Sequence, residues 1–188
     1  MKKTNLILIG VIALIAIIVI MISSEYNGMV SKQENVESAL SDLDVMLQRR
    51  GDLIPNLVNT VKGYTGHENK IIDKVTDART KLANASSVKE KSDANNELTN
   101  SLNALMVVVE NYPDLKSSQN FIQLSDELAG TENRIAVARK DYNDAVKILN
   151  TTIKKFPNNL LAGMFGFEQA RYFEADKSSL EVPNVSFE

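Results

Sequence analysis

The chain contains no cysteine and a single histidine, His67. These absences exclude a disulfide framework, thiolate chemistry and cysteine-ligated zinc, and one histidine supplies no His-pair metal site within one chain. "HENKI" therefore opens like a zincin motif but lacks its second histidine, and His67 and Glu68 read as exposed residues at a helix start. With no cysteine, and with Lys2 rather than glycine after Met1, lipoprotein, prenyl and myristoyl anchors are excluded too. Aromatic residues make up only 6% of the chain, and residues 23–188 carry 19 basic against 24 acidic side chains. No basic stripe emerges, so nucleic acid is not an expected partner. Strand-like alternation of useful length is absent as well, which leaves an all-α chain.

One long hydrophobic run is present. Leu6 to Ile22, "LILIGVIALIAIIVIMI", is 17 apolar residues without interruption, about 26 Å as a helix. It is near the short limit for a bilayer span and longer than the core of a secretory signal peptide. No small-x-small cleavage pattern follows, which favours a retained anchor over a cleaved signal. Lys2 and Lys3 precede the run and Glu25 follows it, so the N-terminus is expected in the cytoplasm and the rest outside.

Beyond the anchor, apolar residues recur at helical spacing. Phe121, Leu128, Ile135, Tyr142, Leu149 and Phe156 are spaced by seven, with Leu124, Ala138, Ala145 and Ile153 between them. A second seam reads Met29, Val36, Leu43, Arg50, Leu57 and Tyr64, flanked by Leu40, Leu47, Ile54 and Val61. Shorter helices are expected over 67–84 (Ile71, Val75, Ala78) and 92–112 (Leu98, Leu102, Leu105, Val109). "KGYTGHE" and "NASSVKEKSD" read as breaks, Pro113 ends a helix at Tyr112, and Ser117 or Ser118 caps the next. The expected architecture is an N-terminal transmembrane helix followed by an up-down-up-down four-helix bundle with long first and last helices. Its parts are an anchor over 1–24, a bundle over 25–157, and an apolar segment with an irregular tail over 158–188.

"QRRGDLIPNL", residues 48–57, interrupts the first seam with Gly51 and Pro55. Either the chain turns there, with Gly51 as C-terminal cap and Asp52 as the next N-cap, or the helix continues and bends. Lengths decide between them. At about 1.5 Å per residue, helices over 25–62, 67–84, 92–112 and 118–156 climb and descend about 57, 27, 32 and 58 Å and nearly close. A turn at Gly51 would drive the last helix into the bilayer, so a helix kinked at Gly51 and Pro55 is expected.

The same count places Arg50 about 38 Å above residue 25, level with residues 132–134 on the last helix. A guanidinium on a buried seam needs a paired acceptor. Glu132 is the expected partner and Glu97 the runner-up; Glu110 lies too high, and the alternative is an Arg50 that snorkels to solvent.

"EYNGMVSKQENVESALSDLDVMLQRRGDLIPNLVNTVKGY", "ENYPDLKSSQNFIQLSDELAGTENRIAVARKDYNDAVKILN" and "FPNNLLAGMFGF" together resemble the LemA family over nearly the whole chain. Gly51 stands where that family usually has an aromatic or polar residue. The resemblance implies a bacterial single-pass membrane protein with a helical bundle and with neither enzymatic activity nor cofactor. It also singles out Asp52, Asn56, Glu110, Tyr112, Pro113, Asp114, Arg139, Tyr142 and Asn143 as motif residues open to an interaction role.

Other motifs are weaker. Glu34, Glu37, Asp42 and Asp44 offer carboxylates without the two contrasting environments that acid–base catalysis needs. The sequons at Asn84, Asn150 and Asn184 read as coincidence. Tyr142, on the seam, is expected as a buried phenol with a partner. Leu160, Leu161, Met164, Phe165 and Phe167 either dock on the lower end of the bundle or lie in the lipid interface, and the lack of a basic face favours docking. The expected function is a non-enzymatic scaffold or interaction module in the envelope, touching lipid through residues 6–22 and an envelope protein through the bundle, with self-association left open. The alternative is a bundle that senses or remodels the membrane.

Overall fold

A computed structural model of the protein describes residues 3–65 and 68–174. Gly66, His67 and residues 175–188, including the Asn184 sequon, lie outside the described residues. The chain is all-α, with the elements α1 (Lys3–Lys62), α2 (Asn69–Asn84), α3 (Val88–Val109), α4 (Pro113–Lys116), α5 (Gln119–Lys154) and α6 (Asn158–Phe165). They form a helical bundle in two compact units, Met1–Ala39 with Asp144–Ala170, and Leu40–Asn143 with Arg171–Glu188.

In the first unit, the large apolar side chains from Ile7 to Met21 are 46–68% exposed. One turn further along α1 the pattern changes, because charged and polar residues now separate the apolar ones. Met29 and Val36 turn inward and are buried, as are Val146, Leu149 and Ile153 of α5 and Ala162 of α6. Each such aliphatic side chain contributes about 1.5–3 kcal/mol when fully buried. α6 ends at Gly166, whose left-handed φ of 77° turns the chain so that the Phe167 N–H returns to the Ala162 carbonyl at 3.0 Å.

The second unit buries Leu43, Leu47, Ile54, Leu57 and Val61 of α1, and Ile72, Val75, Ala78 and Leu82 of α2. Leu98, Leu102, Leu105 and Val109 of α3, Leu115 of α4, and Phe121, Leu128 and Ile135 of α5 complete its core. α2 and α3 are joined by three residues. Ser87 caps α3 by accepting from the Glu90 N–H at 3.2 Å, while the Glu90 carboxylate accepts from the Ser87 N–H at 2.9 Å.

Several expectations are corrected. α3 begins at Val88, not Ser92, because the Ser87–Glu90 capping box starts a helix inside the stretch read as a turn. α2 begins at Asn69 and buries Ile72 rather than Ile71. α3 ends at Val109, not Tyr112, and Pro113 opens the one-turn helix α4, since a helix's first residue needs no N–H. Both seams end one heptad early: Tyr64 is 47% and Phe156 80% exposed, each lying past the end of its helix.

α1 runs unbroken through Gly51 and Pro55. Pro55 has no N–H to offer the Gly51 carbonyl four residues back. Arg79 of α2 supplies the missing donor, its Nε reaching the Gly51 oxygen at 3.4 Å.

Candidate functional site

The polar centre of the second unit forms where three helices place side chains at one level. Arg50 sits on the inward seam of α1 and is 4% exposed. Its Nη1 donates to Asn95 Oδ1 of α3 at 2.7 Å and lies 2.7 Å from Glu132 Oε2 of α5. Glu97, the runner-up acceptor, is instead exposed and held by Lys81 at 2.7 Å. The reason is helical phase: Asn95, Leu98, Leu102, Leu105 and Val109 follow the inward three-four spacing of α3, and Glu97 falls outside it. Asn95, 2% exposed, was missed by the sequence reading, although a polar residue at a seam position was the available signal. Burial lowers the Arg50 pKa below its ordinary value, and the Glu132 charge raises it only partly back. The carboxylate of Glu132 thus balances the buried charge, and the Asn95 amide accepts one of its hydrogen bonds.

A cleft of about 370 Å³ lies beside this centre, lined in part by Asp44, Gln48, Gly51, Asp52, Arg79 and Lys91. Lys91 pairs with Asp44 at 2.6 Å. Asp52 contributes an exposed carboxylate to the rim, and Asn56, one turn on, is exposed.

A second constellation holds the chain after α6. Within the first unit, Asn150 clamps the backbone of Ala170, donating to its carbonyl at 2.8 Å and accepting from its N–H at 2.9 Å. Within the second, Asn143 does the same to Phe173, at 3.0 and 2.9 Å. Each side-chain amide thereby offers the hydrogen-bonding edge a neighbouring strand would offer. The Tyr142 hydroxyl, buried on the seam, donates to the Arg171 carbonyl at 2.7 Å, and Ser92 Oγ donates to the Glu174 carbonyl at 2.6 Å. Burial raises the Tyr142 pKa, with a smaller contribution from the Asp44 charge.

The remaining motif residues are dispersed. The Tyr112 hydroxyl donates to Glu68 at 3.1 Å, so Glu68 is a half-buried partner rather than a bare helix start. Glu110 pairs with Lys116 at 2.5 Å across α4. Pro113 and Asp114 are exposed, and Arg139 is half-buried on α5. Among the apolar residues after α5, the Phe165 and Phe167 rings meet Tyr26 edge-on, at centroid distances of 5.0 and 5.6 Å. Leu161 is half-buried, while Leu160 and Met164 point outward, 63% and 67% exposed.

These features define an all-helical protein with one helix long and apolar enough to cross a membrane, among the described residues, and with Arg50, Asn95, Tyr142, Asn143 and Asn150 bonded internally. The chain belongs to the LemA family, whose model matches residues 39–187. It is similar to magnetosome protein MamQ 2 of Paramagnetospirillum magneticum, with 30% identity over 96% of this chain and 75% of the relative. Magnetosome protein MamQ of Magnetospirillum gryphiswaldense is 26% identical over 95% and 74% of the two chains. Protein LemA of Metamycoplasma hominis is 26% identical over 80% and 69%.

Proposed function

We propose that this protein is a membrane-anchored, non-enzymatic scaffold of the bacterial envelope. Residues 6–22 form its single span, the N-terminus is cytoplasmic, and the helices beyond alternate in direction outside the membrane. The observation that carries the reading is the continuity of α1. One helix bears an exposed apolar stretch and then, without a break, the buried seam from Met29 onward. Water would not tolerate twelve large apolar side chains 46–68% exposed over Ile7–Met21, whereas hydrocarbon requires them. The polar residues that chemistry would need are engaged structurally, Arg50 with Asn95 and Glu132, Tyr142 and Asn143 with the backbone after α6. The relatives' names, magnetosome protein and Protein LemA, differ although each aligns with most of this chain, which suits a scaffold whose partners vary.

Proximity labelling from the C-terminus in living cells tests the reading. Labelling of envelope proteins by an extracytoplasmic enzyme tag is expected, and labelling confined to cytoplasmic proteins would overturn the orientation. A second reading, a bundle that senses or remodels the membrane, draws on the outward apolar face of α6.

A further inference from the structure

We infer that α6 and Phe156 form a foot that lies in the headgroup region of the phospholipid bilayer holding the anchor; the inference rests on the anchor reading above. Its ground is the geometry of the first unit. Tyr26 follows Ile22, the last residue of the apolar run, by one helical turn, or about 6 Å. The rings of Phe165 and Phe167 pack on Tyr26 at 5.0 and 5.6 Å. The three aromatic rings therefore stand at the level where the span leaves hydrocarbon, the depth that amphipathic rings favour. That contact fixes the height of α6 relative to the bilayer without appeal to any other part of the chain.

The helix is two-faced at this height. Asn158 and Ala162, four residues apart, are buried toward the unit, while Leu160 and Met164, also four apart, project outward at 63% and 67% exposure. Phe156, just before α6, is 80% exposed. Docking and lipid contact are thus the work of opposite faces, which dissolves the choice left open by the sequence. Lys154 and Lys155 are exposed immediately before Phe156 and can reach phosphate groups, whereas Glu25 and Glu168 are exposed nearby and offset them. Apolar insertion rather than charge is therefore the main attraction. The occupant of the outward face is phospholipid, because Phe165 ties α6 to Tyr26, one helical turn past the exposed apolar side chains of the anchor.

The chain has no tryptophan, so single substitutions report depth without background. The full chain, as Leu160→Trp or Met164→Trp, is reconstituted in phosphatidylcholine–phosphatidylglycerol vesicles with and without bromine on the upper acyl carbons. Ile12→Trp, inside the run, reports the anchor. Glu34→Trp, exposed and about 18 Å along α1 from Ile22, reports water. Bromination is expected to cut emission about twofold at Leu160→Trp and Met164→Trp, as for side chains sunk about 5–10 Å into the headgroup–acyl boundary, and to leave Glu34→Trp unchanged. If Ile12→Trp is quenched while both foot positions behave like Glu34→Trp, the foot is wrong and the anchor stands. If Ile12→Trp is not quenched either, the anchor reading fails and takes the foot with it. Blue-shifted but unquenched emission at the foot would mean that protein, such as a second copy, covers the face, and would overturn the inference.

Discussion

Glu132→Ala is the most informative single substitution in the polar centre. It leaves the Arg50 guanidinium, 4% exposed, with only the neutral Asn95 amide as its hydrogen-bond acceptor. Removing one partner of a buried pair costs about 3–5 kcal/mol. The Glu132 side chain is 44% exposed, so water can follow the truncation, and the low end, about 3 kcal/mol, applies. With a urea slope of about 2 kcal/mol/M, the unfolding midpoint should fall by about 1.5 M. The folded-state pKa of Arg50 is lowered by burial, so the charged form is disfavoured by folding at every pH below that value. Arg50→Met relieves that desolvation but leaves the Asn95 Oδ1, on a residue 2% exposed, without its donor, and should itself cost about 1–3 kcal/mol. In the Arg50→Met background, Glu132→Ala should cost less than about 0.5 kcal/mol, like an ordinary surface substitution. Urea unfolding of the full chain in nanodiscs, followed by far-ultraviolet ellipticity, closes this double-mutant cycle. Equal losses from Glu132→Ala in both backgrounds would refute the reasoning, because the carboxylate would then not be acting through the arginine.

Gly51→Ala should raise stability by about 0.5–1 kcal/mol, since a methyl group there meets nothing within 4 Å and helix interiors favour alanine. Arg79→Ala should cost about 1 kcal/mol, and that cost should shrink in Pro55→Ala, where position 55 regains its N–H and donates to the Gly51 carbonyl itself. Asn150→Ala removes both bonds to Ala170 and should cost about 1–3 kcal/mol, with amide exchange speeding up first at Ala170; unchanged exchange there would mean that the clamp holds nothing. Glu90 is held at a pKa of about 2, below its ordinary 4.5, by the N–H groups of Ser87 and Ser86 and then by their hydroxyls. Because the folded-state pKa is the lower one, the stabilisation is complete above 4.5 and disappears as pH falls toward about 2. The stability advantage over Glu90→Gln should follow that window, and an advantage independent of pH would exclude the cap as its source. Protease added to intact spheroplasts should digest the chain beyond residue 25; full protection before lysis would reverse the orientation.

Helix phase was legible wherever one buried stripe ran along one helix. Met29, Val36, Leu43, Arg50 and Leu57 recur every seven residues because packing against a neighbour selects a single face, and that selection is written locally. The rise per residue then carried the argument across helices and put Glu132 at the height of Arg50, where the two atoms lie 2.7 Å apart. The same reasoning failed at the seam ends, where Tyr64 and Phe156 keep the spacing but have passed the last helical turn.

What the sequence by itself determined was the helical class, the apolar run, the unbroken passage of α1 through Gly51 and Pro55, and the level of Arg50, all consequences of periodicity and length. Only the tertiary structure decided the partners that lie far apart in the chain. Arg79 meets a carbonyl 28 residues away, Asn95 meets Arg50 across 45, and Asn143 meets Phe173 across 30. Arg79 and Asn143 bind backbone atoms, which are the same at every residue, so no side chain at positions 51 or 173 announces the bond. The two-faced character of α6 was hidden for a related reason. Its apolar residues look alike in sequence, and which of them meets Tyr26 and which faces outward depends on a neighbour that arrives from the other end of the chain.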